Sequence, residues 1–203
     1  MSDKTRYHHG DLHNALLAAA LEIAAEDGLD GLSLRAVAAR AGVSHAAPAH
    51  HFPTLKHLMT ALATLAFERF RATMEQEIAR APKSAKGGMA GAGDGYVRFA
   101  RLNPQLFRLM FSPSRLDRSD AALREAGRAA YGTLAAVCAP VAESRGETSP
   151  EARRQLELLV WSCVHGYAQL LLAGQLGGFA AAEGAQEPPR RPDLEGLLLG
   201  RDR

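Results

Sequence analysis

Apolar residues recur at helical spacing along most of this chain, and no stretch alternates in the way a half-buried strand requires. Leu12, Leu16, Ala19, Ala20 and Ile23 line one face of a helix predicted over Asp11–Asp27, with Asp11 as its cap and Gly28 as its stop. Ser33 is placed to cap a second helix, Leu34–Ala41, which Gly42 ends, with Val43 as a buried plug in the turn. Ser44 then opens a third short helix, His45–His51. A long helix is predicted over Pro53–Ala81, with Pro53 in its first turn and Leu58, Leu62, Leu65, Phe67, Phe70 and Met74 as its apolar contacts.

The clearest break in the pattern is Pro82–Gly95, rich in Gly, Ala and Lys: a flexible connection, or a helix start of low propensity. Beyond it the pattern predicts short helices over Tyr96–Leu102 and Pro104–Phe111, and long ones over Ala121–Ala142 and Ser149–Ala173. Gly174–Pro192 is a poor helix former, and Asp193–Leu199 closes the chain as a short terminal helix. The expected architecture is all-α, with a three-helix domain over residues 1–57 and a larger helical domain over residues 58–203.

Composition sharpens this picture only a little. A hydrophobic share of 47% over 203 residues suffices for a core, and a net charge of +2 advertises no polyanion partner. Cys138 and Cys163 lie far apart without CxxC spacing, which fits a reducing compartment and buried structural thiols, a redox sensor being the alternative. The polar, His-rich start is no signal peptide. The longest apolar candidate, Leu156–Leu172, is interrupted by Glu157, Ser162, His165 and Gln169, so no membrane span is expected and the protein reads as soluble and cytoplasmic.

Two short helices joined by a Gly-containing turn match the DNA-binding helix-turn-helix, and equally an ordinary corner in a helical bundle. Particular residues carry the reading further. Tyr7-His8-His9-Gly10-Asp11-Leu12, Leu32-Ser33-Leu34-Arg35-Ala36-Val37-Ala38, Ala41-Gly42-Val43-Ser44-His45-Ala46-Ala47-Pro48 and His51-Phe52-Pro53 together resemble the TetR family of regulators. The resemblance continues through Tyr96-Val97-Arg98-Phe99-Ala100, Asn103-Pro104, Leu106-Phe107-Arg108-Leu109-Met110-Phe111 and Trp161-Ser162-Cys163-Val164-His165-Gly166, which look like the C-terminal domain type named for its Trp…His-Gly motif.

That resemblance implies an all-α homodimer with an N-terminal helix-turn-helix for double-stranded operator DNA and a C-terminal core for a small-molecule effector. It implies a dimer interface built from Ala121–Ala142 and Ser149–Ala173. The broad apolar surface of the second segment independently calls for cover, by a partner or by the monomer's own core. Phe99, Leu102, Phe107, Met110, Phe111, Tyr131, Trp161 and His165 are the candidate lining of an effector pocket, or filled core, because periodicity does not separate a cavity from packing.

The candidate DNA-contacting residues are Arg35, Ser44, His45, Ala46, Ala47, His50, His51, Thr54 and Lys56. Here the chain departs from the family pattern that it resembles. Ala49 stands where a Tyr is usual, Leu55 where a Lys is usual, and His50 where close relatives often have Arg, so three phosphate contacts are replaced. Residues 1–57 hold five Lys and Arg against six Asp and Glu, together with seven of the eight histidines. Phosphate neutralisation supplies most non-specific DNA affinity, so this balance predicts weak binding. Binding would rest on helix N-termini, Arg35, Thr54, Lys56 and the N-terminal arm. Alternatively, histidine protonation supplies charge and affinity rises as pH falls through roughly 6.5. Ala46 and Ala47 suit thymine methyls, and His45 suits a base edge or phosphate.

Enzyme chemistry is not expected. No nucleophile elbow, P-loop or dinucleotide fingerprint is present, and Ser162 with His165 lacks a placed third group. His9 and His13 have i, i+4 spacing, but nothing completes a metal site, so neither metal nor cofactor is expected. The competing reading is a degenerate dimeric ligand-binding protein that has lost most DNA affinity.

Overall fold

The computed structural model describes residues 9–177 and 190–199. The N-terminal arm with Lys4, Arg6, Tyr7 and His8, and most of the Gly174–Pro192 stretch, lie outside the described residues. Eight α-helices and no strand are found among the described residues: α1 (His9–Glu26), α2 (Leu34–Arg40), α3 (Leu55–Arg80), α4 (Ala85–Leu102), α5 (Pro104–Met110), α6 (Ala121–Ser144), α7 (Pro150–Leu172) and α8 (Leu194–Leu199). Described residues up to Ala66, with Gln105–Glu125, form one compact unit; Phe67–Pro104, with the described residues from Ala126 onward, form another.

In the first unit α1 packs on α2 and α2 on a short turn, Ala47–His50. The predicted face of α1 is its buried face: Leu16, Ala19, Ala20 and Ile23 are all buried, as are Val37 and Ala38 of α2. Val43, expected as a plug, is only half-buried, whereas Pro48 and Phe52 are buried. The helix α1 starts at His9, two residues before the expected cap position, and α3 starts after Pro53 rather than with it. The stretch after α5 is tied back to this unit by Arg115, which donates to Asp30 at 2.8 Å, and by the Asp117 N–H, which donates to Thr60 Oγ1 at 2.9 Å.

Side-chain caps set several helix starts. Ser33 Oγ accepts from Ala36 N at 3.0 Å, Ser84 Oγ from Gly87 N at 3.0 Å, Asp120 Oδ1 from Leu123 N at 2.8 Å, and Ser149 Oγ from Ala152 N at 3.1 Å. Each satisfies one of the amide donors that a helix start leaves open.

The Gly-rich break resolves as the first half of α4. Glycine is a poor helix former, yet here it is what lets α4 lie against the preceding helix. A Cβ on Gly91 would stand 2.8 Å from the Glu77 carbonyl oxygen and the Ile78 Cα; one on Gly95 would stand 2.6 Å from the Met74 Cα. The two helices are in backbone contact over two turns. Elsewhere in the second unit Met89, Leu134, Cys138, Val141, Ala142, Leu156 and Val160 form a buried cluster with Trp161 and Leu194 packed against it. Burial pushes the Cys138 thiol up to about 12, so it sits there as an unreactive thiol, while Cys163 is half-buried.

The glycines of α4 should therefore respond with opposite signs. Gly95→Ala meets fixed backbone and should destabilise by about 1–3 kcal/mol. A Cβ on Gly88 would meet only a Val137 methyl at 3.8 Å, so Gly88→Ala should stabilise by about 0.5–1 kcal/mol. Urea denaturation midpoints at unchanged slope would read both.

Candidate DNA-binding surface and ligand site

The segment after α2 turns because Gly42 adopts φ 68°. The Val43 N–H then reaches the Ala38 carbonyl at 3.0 Å and the Gly42 N–H the Ala39 carbonyl at 3.2 Å, the paired bonds of a glycine-terminated helix end. The expected α-helix over His45–His51 is instead a single 3-10 turn, Ala47–His50. Pro48 is the physical reason. It has no N–H to return to the Ser44 carbonyl, which accepts from Ala47 N at 3.0 Å instead. Ser44 thus contributes its carbonyl to the turn, and no side chain caps it.

Pro48 and Phe52 are buried, and between and before them the chain faces outward. Arg35, Ser44, His45, Ala46, His50, Thr54 and Lys56 are exposed; Ala47 and His51 are half-buried. Of the positions where the family pattern is broken, Ala49 and His50 are exposed and Leu55 is half-buried. Thr54 carries a hydrogen bond to His57 Nδ1 at 2.8 Å. His13 packs its ring 4.9 Å from Phe52 and 5.9 Å from His51. Among the described residues no group of three or more His, Cys, Asp or Glu could hold a metal ion.

The surface is poorer in positive charge than a count of residues implies. Arg40 is held by two carboxylates of α1, Glu26 at 2.8 Å and Glu22 at 3.4 Å. Among the described residues of this segment, Arg35 and Lys56 are the cations left facing outward.

The eight candidate pocket residues divide between the units. Phe107, Met110 and Phe111 belong to the first, where Phe107 and Phe111 stack edge to face at 5.2 Å; the other five belong to the second. Leu102 is 67% exposed. Phe99 is buried against Phe70 at 5.3 Å, and Tyr131 lies 6.0 Å from Trp161. A residue not singled out from the sequence, Tyr96, stands at the centre. Its hydroxyl lies 2.7 Å from His165 Nδ1 and accepts from Trp161 Nε1 at 3.3 Å. His165 Nε2 lies 3.2 Å from Gln169 Nε2, so the ring joins Tyr96 to Gln169.

Burial pushes the Tyr96 phenol above its ordinary range and holds the His165 imidazole below its own. Folded His165 thus resists protonation that the unfolded chain accepts below roughly pH 6.5. Its contribution to stability is present above that pH and is lost as pH falls from there toward the folded-state value. The stability difference between the parent protein and His165→Gln, from urea titrations at pH 8 and pH 5, should shrink at the lower pH. Curves that stay parallel would contradict the assignment.

Residues 16–62 match the profile described as bacterial regulatory proteins, tetR family, and residues 89–187 match that described as tetracyclin repressor-like, C-terminal domain. No curated protein matches the sequence significantly. Among solved structures, a protein with unknown function from Rhodococcus sp. RHA1 is 35% identical, with a TM-score of 0.73 over 86% of this chain and 90% of that one. Two others share the fold at lower identity. The TetR family transcriptional regulator PfmR from Thermus thermophilus is 17% identical (TM-score 0.57, 93% and 99% covered). The transcriptional regulator FadR from Bacillus subtilis, solved with stearoyl-CoA, is 17% identical (TM-score 0.63, 94% and 100% covered). With residues 16–62 and 89–187 matched in the family's order, the chain belongs to the TetR family of DNA-binding transcriptional regulators and is not an enzyme.

Proposed function

We propose that this regulator is a cytoplasmic homodimeric repressor, released from a pseudo-palindromic operator by a small-molecule effector. The observation that carries the reading is the turn after α2, where buried Pro48 and Phe52 hold exposed His45, Ala46 and His50 outward. In this reading residues 1–57 bind DNA and residues 58–203 bind the effector and dimerise. Arg35, Ser44, His45, Ala46, Ala47, His50, His51, Thr54 and Lys56 face the operator. Phe99, Leu102, Tyr131, Trp161 and His165 of the second unit are the proposed effector contacts; the assignment of this domain to the Trp–His–Gly type rests on the motifs from Tyr96 to Gly166.

The dimer forms through α6 and α7. Leu158, Leu159 and Leu170 are exposed there, and a methyl added at Gly132 or Gly166 would meet nothing within 4 Å, so an apolar and locally smooth surface stands open for a second copy. Two such subunits set their DNA-reading segments about one helical turn, ~34–36 Å, apart. The effector acts through α3, whose first half belongs to one unit and whose second half belongs to the other. Effector and operator then weaken each other's binding reciprocally.

A second reading, a dimeric ligand-binding protein with weak or lost DNA affinity, is favoured by Ala49, Leu55 and the capture of Arg40 by Glu22 and Glu26. Fluorescence anisotropy against the DNA upstream of the gene, with scrambled DNA as control and a salt series, separates the two. Selective binding with a shallow salt slope supports the repressor; a folded dimer that also finds no site in a random-DNA selection supports the second. Ala49→Tyr with Leu55→Lys should tighten operator binding severalfold, and the new lysine should steepen the slope of log K against log salt by about 0.9.

A further inference from the structure

The outward-facing turn in the first unit has little of its own to hold it. Ala47 N donates to the Ser44 carbonyl at 3.0 Å and Ala49 N to the Ala46 carbonyl at 3.3 Å. His51 N and Phe52 N both donate to the Pro48 carbonyl, at 3.0 and 2.7 Å. No side chain caps the turn, and its 4 residues are too few for a helix to persist alone. Its orientation is therefore set by what packs on it. The burial of Pro48 and Phe52 and the packing of α2 supply two supports.

A third support comes from α1, outside the helix-turn-helix. His13, Leu16 and Ala20 share one face of that helix, at i, i+3 and i+7. Leu16 and Ala20 are fully buried, whereas His13, one turn nearer the helix start, is half-buried at the rim of the core. From there its imidazole lies 4.9 Å from the Phe52 ring, tilted by 37°, and 5.9 Å from the His51 ring, edge to face at 66°. Both separations fall in the ~4.5–7 Å range in which aromatic pairs attract. One ring thus spans the two residues whose amides close the turn on the Pro48 carbonyl.

We propose that His13 is a positioning residue for DNA recognition: its ring clamps Phe52 and His51 and so sets the orientation in which the turn presents His45, Ala46 and His50. The inference rests on the reading that this turn faces the operator, but the clamp itself is measured without DNA, so the two fail separately. The clamp acts through a ring rather than through a charge or a hydrogen bond, so His13→Phe preserves it and His13→Gln does not. A histidine that touched phosphate or a base directly would show the reverse, since glutamine keeps a hydrogen-bonding head and phenylalanine has none. A histidine that only filled core would lower stability throughout the unit with no bias toward the turn. Base contacts need a fixed geometry and phosphate attraction does not, so a loosened turn loses selective binding and keeps non-specific binding.

The test is amide hydrogen exchange of the full chain, read by NMR, with fluorescence anisotropy on two duplexes: one recovered by random-DNA selection with the parent protein, and one scrambled. His13→Ala should speed exchange at His51 and Phe52 about tenfold. Val37 and Ala41, whose amides donate to the Ser33 and Val37 carbonyls, should be unchanged. The same variant should bind the selected duplex about tenfold more weakly and the scrambled one as before. His13→Phe should restore both readouts. His13→Gln should behave as His13→Ala does, and serves in its place if that variant does not fold. If the parent selects no duplex, the repressor reading fails and exchange alone decides the clamp. Exchange unchanged at His51 and Phe52 in the ringless variants, equal speeding at Val37 and Ala41, rescue by His13→Gln but not His13→Phe, or parallel loss on both duplexes would overturn the proposal.

Discussion

The backbone of α4 lies against the backbone of α3 because Gly91 and Gly95 carry no side chains, and the second unit is organised outward from that contact. Once the glycine stripe faces α3, helical geometry dictates what the other faces of α4 do. Met89, Ala92, Tyr96, Phe99 and Ala100 turn into the core, where Tyr96 meets His165 and Trp161 of α7. Ala90, Gly93 and Asp94 form a third face that receives Arg191. A helix of weak intrinsic propensity thus holds three separate interactions, and it does so because its poorest helix formers are the residues that let it approach its neighbour.

The first unit is governed by a different constraint, the absence of an amide proton at Pro48. That absence converts the third segment from an α-helix into a short turn, while the burial of Pro48 and Phe52 anchors it. What remains outward is mostly histidine, alanine and serine, and one of the nearby cations, Arg40, is spent on Glu22 and Glu26. A surface of this kind favours shape and short-range contact over long-range attraction to phosphate, because the charge that would be attracted is locally cancelled.

Much of the fold was legible in the residues. The apolar face of α1, the Ser33 cap, the Gly42 turn and the two long C-terminal helices all follow from periodicity and local chemistry that act within a few residues of chain. The motifs from Tyr96-Val97-Arg98-Phe99-Ala100 to Trp161…His165-Gly166 were legible as family resemblance. Where local chemistry is ambiguous the reading stopped short: glycines at 87, 88, 91, 93 and 95 describe a linker as well as they describe a helix pressed against another backbone, and only the partner decides. The same limit applied to the pocket residues, whose periodicity is shared by lining and by filled core.

The sequence alone therefore determined the all-helical class, the order of the longer helices, the Ser33 cap, the Gly42 turn and the family. Those features depend on hydrogen bonds and apolar repeats that span three to five residues, which a linear reading contains. Tertiary structure decided that Gln105–Glu125 joins the first unit, that Tyr96 is the hub between α4 and α7, and that Arg191 is clasped by Asp94 and Ala90, partners 97 and 101 residues away. The physical reason is one of range: a carboxylate and a carbonyl become a seat for a guanidinium only when the folded backbone brings them to one point and leaves a glycine between them.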